Sequence, residues 1–392
     1  MLATVNQVKF IPATESKLIM DNPPYVDYYR ILGLNIKIMA DEAQLLSPFR
    51  QKYALFLSPP ADKTHCSLLL LRNKGKDPMI IVNDEITCVP NVSLLAGYAQ
   101  MFFVNTWIAK LKGYFLIHAG VLAREEEGII IMGPSSLGKT TLVLNLVRRG
   151  FTFLSDEFAP INRQTKLVEP FPLKIGLRRE SAELFPEIDL SKLYSLKNLI
   201  SRPKWLYDAA LLNDKPPRAC TVKALIILKP GFRSVSNQQH IIDMALKKAD
   251  CQVISKLAAS RGIHPVFVQN RVEPFIYRFS LKKKRSTIEH FSRICQKYKA
   301  DILFYEHVRT DIPYFDATPK LKATPKSGAL VEICKNLMNF TRDSLLYQEF
   351  SANLPGIMVE LGKILQDTCC YTLSIGRLGQ MTGLLEEMSN NL

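Results

Sequence analysis

Acid is what this sequence has too little of: 36 Asp and Glu residues face 51 Lys and Arg, for a net charge of +15 and a pI near 9.4. A field of that sign favours acidic partners without choosing among nucleotide, phosphate, acidic protein, nucleic acid and anionic membrane. No CxxC pair occurs among the eight cysteines, at positions 66, 88, 220, 251, 295, 334, 369 and 370. That spacing gives no disulfide framework and no metal knuckle, and the cysteines read as reduced thiols of a cytoplasmic protein. Cys369 and Cys370 are adjacent, but neighbouring side chains on a strand point apart, so no bond or metal pair is expected there. The first residues, MLATVNQVKFIPATESK, lack the basic start and unbroken apolar stretch of a signal peptide, so export is not expected. From Val89 to Ala109 no charged residue occurs, a length that could span a bilayer. The run nevertheless carries Pro90, Asn91, Ser93, Gln100, Asn105 and Thr106, which would be costly in lipid, so it reads as a buried helix beginning near Ser93 and no membrane span is expected. There is neither an internal repeat nor a low-complexity tract. With 47% hydrophobic and 22% charged residues, global disorder is excluded, and 392 residues suffice for about two or three structural units.

What is present reads as α/β. Between Tyr28 and about Val82 the pieces ILGLNIKI, KYALFLS, CSLLLLR and MIIVN look like strands separated by turn signals. YFLIHAGVLA and GIIIMG follow, two apolar runs joined by Arg124, Glu125, Glu126, Glu127 and Gly128, the pattern of a hairpin with its charged turn in water. TTLVLNLVRRG has helical spacing, with Arg148 and Arg149 in its last turn and Gly150 as a stop, and FTFLS is a short strand. VKALIILKPG reads as a buried strand ended by Pro230 and Gly231. From Lys229 to Ser327 there are 19 Lys and Arg against 8 Asp and Glu, a net of +11, including the run Lys282, Lys283, Lys284 and Arg285. After Pro325, ALVEICKNLMNF and IMVELGKILQD read as helices, CCYTLSI as a strand and GQMTGLLEEM as a final helix.

The chemistry is carried by Gly133-Pro134-Ser135-Ser136-Leu137-Gly138-Lys139-Thr140, which fits the phosphate-binding pattern GxxxxGK[ST] in full, with a strand before and a helix after. Glycines let successive backbone N–H groups point into a nest, and the positive end of the following helix adds to it. The nucleotide-binding set is therefore Gly133, Pro134, Ser135, Ser136, Leu137, Gly138, Lys139, Thr140 and Thr141. Lys139 is expected to reach the β and γ phosphates of ATP, and the Thr140 hydroxyl to ligate Mg²⁺. A magnesium site also needs a carboxylate at the end of a neighbouring strand. FTFLS ends in Asp156-Glu157, which supplies two, so Thr140, Asp156 and Glu157 form the metal set. His118 lies in the apolar run before the hairpin turn; alone, a histidine there is more often a satisfied core residue than a catalytic one.

The stretch from Ile117 to Ile161, IHAGVLAREEEGIIIMGPSSLGKTTLVLNLVRRGFTFLSDEFAPI, resembles the core of HPr kinase/phosphorylase and its relatives, whose fold is shared with ATP-dependent phosphoenolpyruvate carboxykinase. The likeness consists of His118-Ala119-Gly120, the P-loop at the same offset, the Arg-Gly helix end and the acidic pair. It implies that His118 assists, Asp156 is the proton-accepting base, Lys139 neutralises charge and Glu157 helps to hold Mg²⁺. GLNIKI and CCYTLSIGRLGQMTGLLEEM look like the flanks of stand-alone relatives. The chain departs from the family at Glu157, where a second Asp is usual, and in PFPLKIGLRRES, which has Lys174, Arg178 and Arg179 where true HPr kinases carry Glu-x-Arg-Gly.

The resulting organisation is a sheet-rich α+β unit over residues 1–110, a P-loop kinase core over 111–232, a basic insertion over 233–327, and helices and a strand completing the core over 328–392. The expected activity is transfer of the γ-phosphoryl group of MgATP to a hydroxyl, most simply a serine of a peptide, a protein or the free amino acid. The positive segment is expected to dock an acidic partner, and the resemblance leaves a homo-oligomer open. A nucleotide-binding regulator without transfer activity is the alternative. A nucleic-acid binder, using the basic segment with Phe275, Tyr277, Phe279, Phe291 and Tyr298, is the weaker one.

Overall fold

The computed structural model of the protein describes residues 10–11, 23–72, 77–83, 85–89, 92–134, 137–196, 204–230, 239–246, 265–269, 275–282, 302–309 and 317–392. It is a mixed α/β structure with several sheets. The central sheet has six strands in the order Thr152–Ser155, Ala119–Arg124, Glu127–Met132, Thr221–Lys229, Cys369–Ser374 and Leu321–Ala323. Glu127–Met132, Thr221–Lys229 and Cys369–Ser374 are parallel to one another, and the flanking pairs are antiparallel.

The runs GIIIM and ALIILK are apolar throughout because this sheet is covered on both faces. Ile129, Ile131, Ala224, Ile226 and Leu228 meet Leu142, Val143 and Leu146 of the helix Lys139–Val147 and Met381 and Leu385 of the helix Leu378–Asn390. The alternate residues Ile130, Met132, Leu225 and Ile227 meet Ala329 and Ile333 of Lys326–Asn336 and Ile357 and Leu361 of Leu354–Ile364. Period-2 alternation thus divides each strand between two cores.

The amino-terminal sheet also has six strands, in the order Phe10–Ile11, Glu85–Cys88, Met79–Val82, Cys66–Leu71, Leu34–Ala40 and Tyr25–Ile31. ILGLNIKI is not one strand: Leu32 and Gly33 both have positive φ and turn the chain between two antiparallel strands. KYALFLS, read above as a strand, is helical in character. Pro48 sits in the first turn of a helix Ser47–Lys52, and a 3₁₀ turn Ala54–Phe56 follows. Tyr53 is buried, Ala54 and Leu55 are exposed and Phe56 is partly buried, a spacing of three where a strand would show two.

The uncharged run is indeed a helix, Val92–Lys110, and no helix among the described residues is long and apolar enough to cross a membrane. Its Trp107 meets Phe158 at 5.5 Å and Phe171 at 5.8 Å between ring centroids. Phe103 is ringed by Tyr29, Phe49 and Tyr53. One continuous apolar core therefore joins the amino-terminal sheet to the chain just beyond the acidic pair. Within the basic segment four antiparallel strands pair in the order Pro265–Gln269, Phe275–Lys282, Gln239–Leu246 and Ile302–Arg309. Lys283, Lys284, Arg285, Phe291 and Tyr298 lie outside the described residues.

Candidate active site

The site forms where two neighbouring strands change partners at the same level. YFLIHAGVLA was expected as one strand, but it breaks at His118: Tyr114–Ile117 pairs with Ala159–Asn162, and Ala119–Arg124 pairs with Thr152–Ser155. The His118 N–H leaves both ladders and donates to the carbonyl of Asn336 at 2.9 Å. On the facing chain the corresponding break is Asp156-Glu157-Phe158, preceded by a register shift between Phe153 and Ser155. The two breaks are tied together by the His118 ring, whose Nδ1 lies 3.1 Å from the Glu157 carbonyl. A carbonyl only accepts, so Nδ1 carries the hydrogen and a neutral ring keeps Nε2 as its free base.

The phosphate-loop helix begins beside this corner. Gly138 has φ 75°, a left-handed conformation that glycine adopts without strain, and it turns the loop into the helix. Of the loop set, Gly133 and Leu137 are buried, Pro134 is exposed, and Thr141 is buried in the first turn. Ser135 and Ser136 lie outside the described residues. Lys139 is 8% exposed, and its Nζ donates to the Gly133 carbonyl at 3.1 Å, back to the start of the loop. Thr140 Oγ1 donates to Asp156 Oδ2 at 2.9 Å, while Asp156 Oδ1 is buried without a hydrogen-bond partner.

Glu157 points another way. Its Oε2 accepts from Lys52 Nζ at 2.7 Å, with the lysine side chain 14% and the glutamate side chain 40% exposed. Lys52 comes from the helix Ser47–Lys52 of the amino-terminal unit, so that unit contributes a charge directly to the corner. Sequence reasoning missed both Lys52 and a second cation, Lys204. Neither stands in a motif, and a lysine among 51 basic residues gives no signal of its own. Of the three expected metal ligands, Thr140 and Asp156 are in contact. Among the described residues the hydrogen-bond partner of the Glu157 carboxylate is Lys52, and no group of three or more His, Cys, Asp or Glu residues is set to hold a metal.

These contacts separate the two carboxyl groups electrostatically. Burial pushes Asp156 up to about 7, against the opposing pull of the Thr140 hydrogen bond and Lys139. Burial acts in the same direction on Glu157, but Lys52 and Lys204 outweigh it and hold that group at about 2. His118 is brought down to about 4 by burial and then by Lys139, and Lys139 itself is lowered by burial. Near neutrality the corner therefore contains a neutral imidazole, an ionised Glu157 and an Asp156 poised to take or release a proton.

The same shifts predict a stability signature. Between about pH 4.5 and 6.5 the folded protein keeps a proton on Asp156 that the unfolded chain has lost, so this group's contribution falls as pH rises. Over that window the unfolded chain keeps a proton on His118 that the folded protein lacks, so this contribution rises. The two slopes oppose each other. His118→Asn removes the second, and its stability deficit against the wild type should grow with pH, by at most about 1.4 kcal/mol per unit. Denaturant midpoints across the window measure this; parallel curves for the two proteins would contradict it.

Gly120, the third residue of His-Ala-Gly, is required by close approach. A Cβ there would lie 2.5 Å from Val143 Cγ2 on the phosphate-loop helix and 3.8 Å from Asp156 Oδ1. A branched side chain on a packed helix cannot swing away, so Gly120→Ala should cost about 1–3 kcal/mol. A thermal melt tests this, and an unchanged melting temperature would show that the helix can shift freely.

No family model matches the sequence, and no curated protein matches it. Among solved structures, an Hpr(Ser) kinase/phosphatase from Coxiella burnetii is similar over 47% of this chain and 95% of its own, at 14% identity and a TM-score of 0.19. A score that low carries no argument about function, which must come from the residues of the corner itself.

Proposed function

We propose that the chain is an ATP-dependent phosphotransferase that moves the γ-phosphoryl group of MgATP to a hydroxyl, with serine in a peptide, a protein or the free amino acid as the acceptor class. The observation that carries this reading is the junction of Thr140 and Asp156. It couples the last residue of a complete phosphate-binding loop to a carboxyl group held near neutrality. The donor set suits the expected group. Magnesium takes oxygen ligands and keeps most of its waters, so one hydroxyl and one carboxylate with a free buried oxygen suffice.

In this reading Thr140 and Asp156 would hold Mg²⁺, and the loop amides with Lys139 would hold the nucleotide phosphates. When bound, the metal supplies neutralisation of phosphate charge. Phosphoryl transfer passes through a loose transition state, so the chain's task is positioning and charge stabilisation. Lys139 is buried and close to the acids, where its charge is little screened. Asp156 accepts the acceptor's hydroxyl proton as its oxygen attacks, and a base with a pKa near the working pH is well matched to that step. His118 fixes the corner through its bond to the Glu157 carbonyl.

The test is incubation with γ-labelled ATP, Mg²⁺ and a pooled serine-peptide library or free L-serine. Acid-stable label on a serine hydroxyl supports the proposal. Release of label only as inorganic phosphate, or no turnover with any hydroxyl, would overturn it.

A further inference from the structure

The charges at the corner do not balance, and the imbalance has a location. Lys52 is taken by Glu157 at 2.7 Å, and Lys139 donates to the Gly133 carbonyl on the phosphate-loop side. Lys204 has no hydrogen-bond or ion-pair partner among the described residues, although its side chain is largely buried. It opens the strand Lys204–Tyr207, which pairs with Ile175–Leu177. There the absent side chain of Gly176 makes a channel for the lysine stem: a Cβ at Gly176 would stand 3.0 Å from Lys204 Cδ.

Burial lowers the Lys204 ammonium, and the charges acting on it are Glu157, Lys52, Arg178 and Asp156. Lys139 instead feels Asp156 and Glu157. Lys139 and Lys204 therefore approach the acidic pair from different sides, the first from the phosphate loop and the second from Lys52 and Arg178. An enclosed ammonium without a partner is unfavourable, and an anion supplied by a ligand would relieve it.

Resting on the phosphotransferase reading, we propose that Lys204, with Arg178 beside it, binds a carboxylate carried by the acceptor close to its hydroxyl, and so selects an anionic acceptor. The nucleotide is met by the loop and Lys139, while the acceptor's carboxylate sits across Asp156 on the Lys204 side. That places the hydroxyl against Asp156, where its proton is taken. The carboxylate can be the α-carboxylate of free serine or an acidic side chain flanking a serine in a peptide. The recognising chemistry is the same.

Calorimetric titrations of the full chain with Mg²⁺ and a non-hydrolysable ATP analogue separate these sources without relying on turnover. One pair of probes is L-serine against serinol, which lacks the carboxylate. The other is an acetylated, amidated Asp-Ser-Asp peptide against its Asn-Ser-Asn counterpart. In the wild type the anionic member of one pair should bind on the order of tenfold more tightly than its neutral partner. The preference should disappear in Lys204→Met and return in Lys204→Arg, with the affinity for the ATP analogue unchanged in both. Equal or absent binding of charged and neutral probes would overturn the proposal. So would a preference that survives Lys204→Met, or a loss of affinity for the ATP analogue instead. If the preference follows Lys204 while the wild type transfers no phosphate, the subsite stands and the phosphotransferase reading falls.

Discussion

Asp156→Asn should leave MgATP affinity within about threefold of the wild type while lowering phosphoryl transfer by ~10²- to 10⁴-fold, the range of a positioned general base. Asparagine keeps the shape of the group and an oxygen that can accept the Thr140 hydroxyl bond now made at 2.9 Å. The amide oxygen also remains a ligand of the kind magnesium accepts. What is lost is basicity alone. The fold should not suffer, because burial already drives Asp156 toward its neutral form and the amide is permanently neutral. The variant's melting temperature at pH 7 should equal or exceed that of the wild type. Binding calorimetry and a transfer assay on the same preparation separate the possibilities. Full activity would remove Asp156 from proton transfer, and loss of MgATP binding would reduce it to a metal ligand.

Lys139→Ala should have the opposite profile, with nucleotide affinity falling ~10- to 100-fold and turnover lost with it. Hydrogen bonds to charged groups contribute about 1.5–3 kcal/mol each, and this ammonium is the expected partner of the β and γ phosphates. It is 8% exposed and already aligned across the loop by the Gly133 carbonyl, so little further ordering is needed when phosphate arrives. Its removal also deletes a cation that burial disfavours, so the free protein should melt close to the wild-type temperature. Titration with MgATP measures the loss; wild-type affinity in the variant would sever the loop from nucleotide binding.

The loop, helix and acidic pair were legible in the sequence because phosphate chemistry fixes residue types at fixed spacing. GIIIMG and VKALIILK were legible as strands because a sheet covered on both faces leaves no polar alternation to confuse the reading. The corner was not legible. His118 lies inside an apolar run, and only the three-dimensional pairing reveals that its strand changes partners opposite the break at Asp156 and Glu157. KYALFLS misled because its composition suits a strand while Pro48 and the three-residue spacing of Tyr53 and Phe56 favour helical turns. That error concealed Lys52, which only a helix ending at that residue delivers to Glu157. Lys204 was hidden for another reason: its role depends on the empty space left by Gly176 on a neighbouring strand.

Asp156 is the residue on which nucleotide, metal and acceptor converge, and its titration can be followed directly. With carboxyl-¹³C aspartate incorporated and Asp156→Asn used to assign the signal, the free protein should show this group titrating near 7. Addition of Mg²⁺ with a non-hydrolysable ATP analogue should move that midpoint well down, because a cation beside the carboxylate favours its ionised form. A signal with an ordinary aspartate midpoint, or one that MgATP leaves unmoved, would contradict the placement of Asp156 at the centre of a phosphoryl-transfer site.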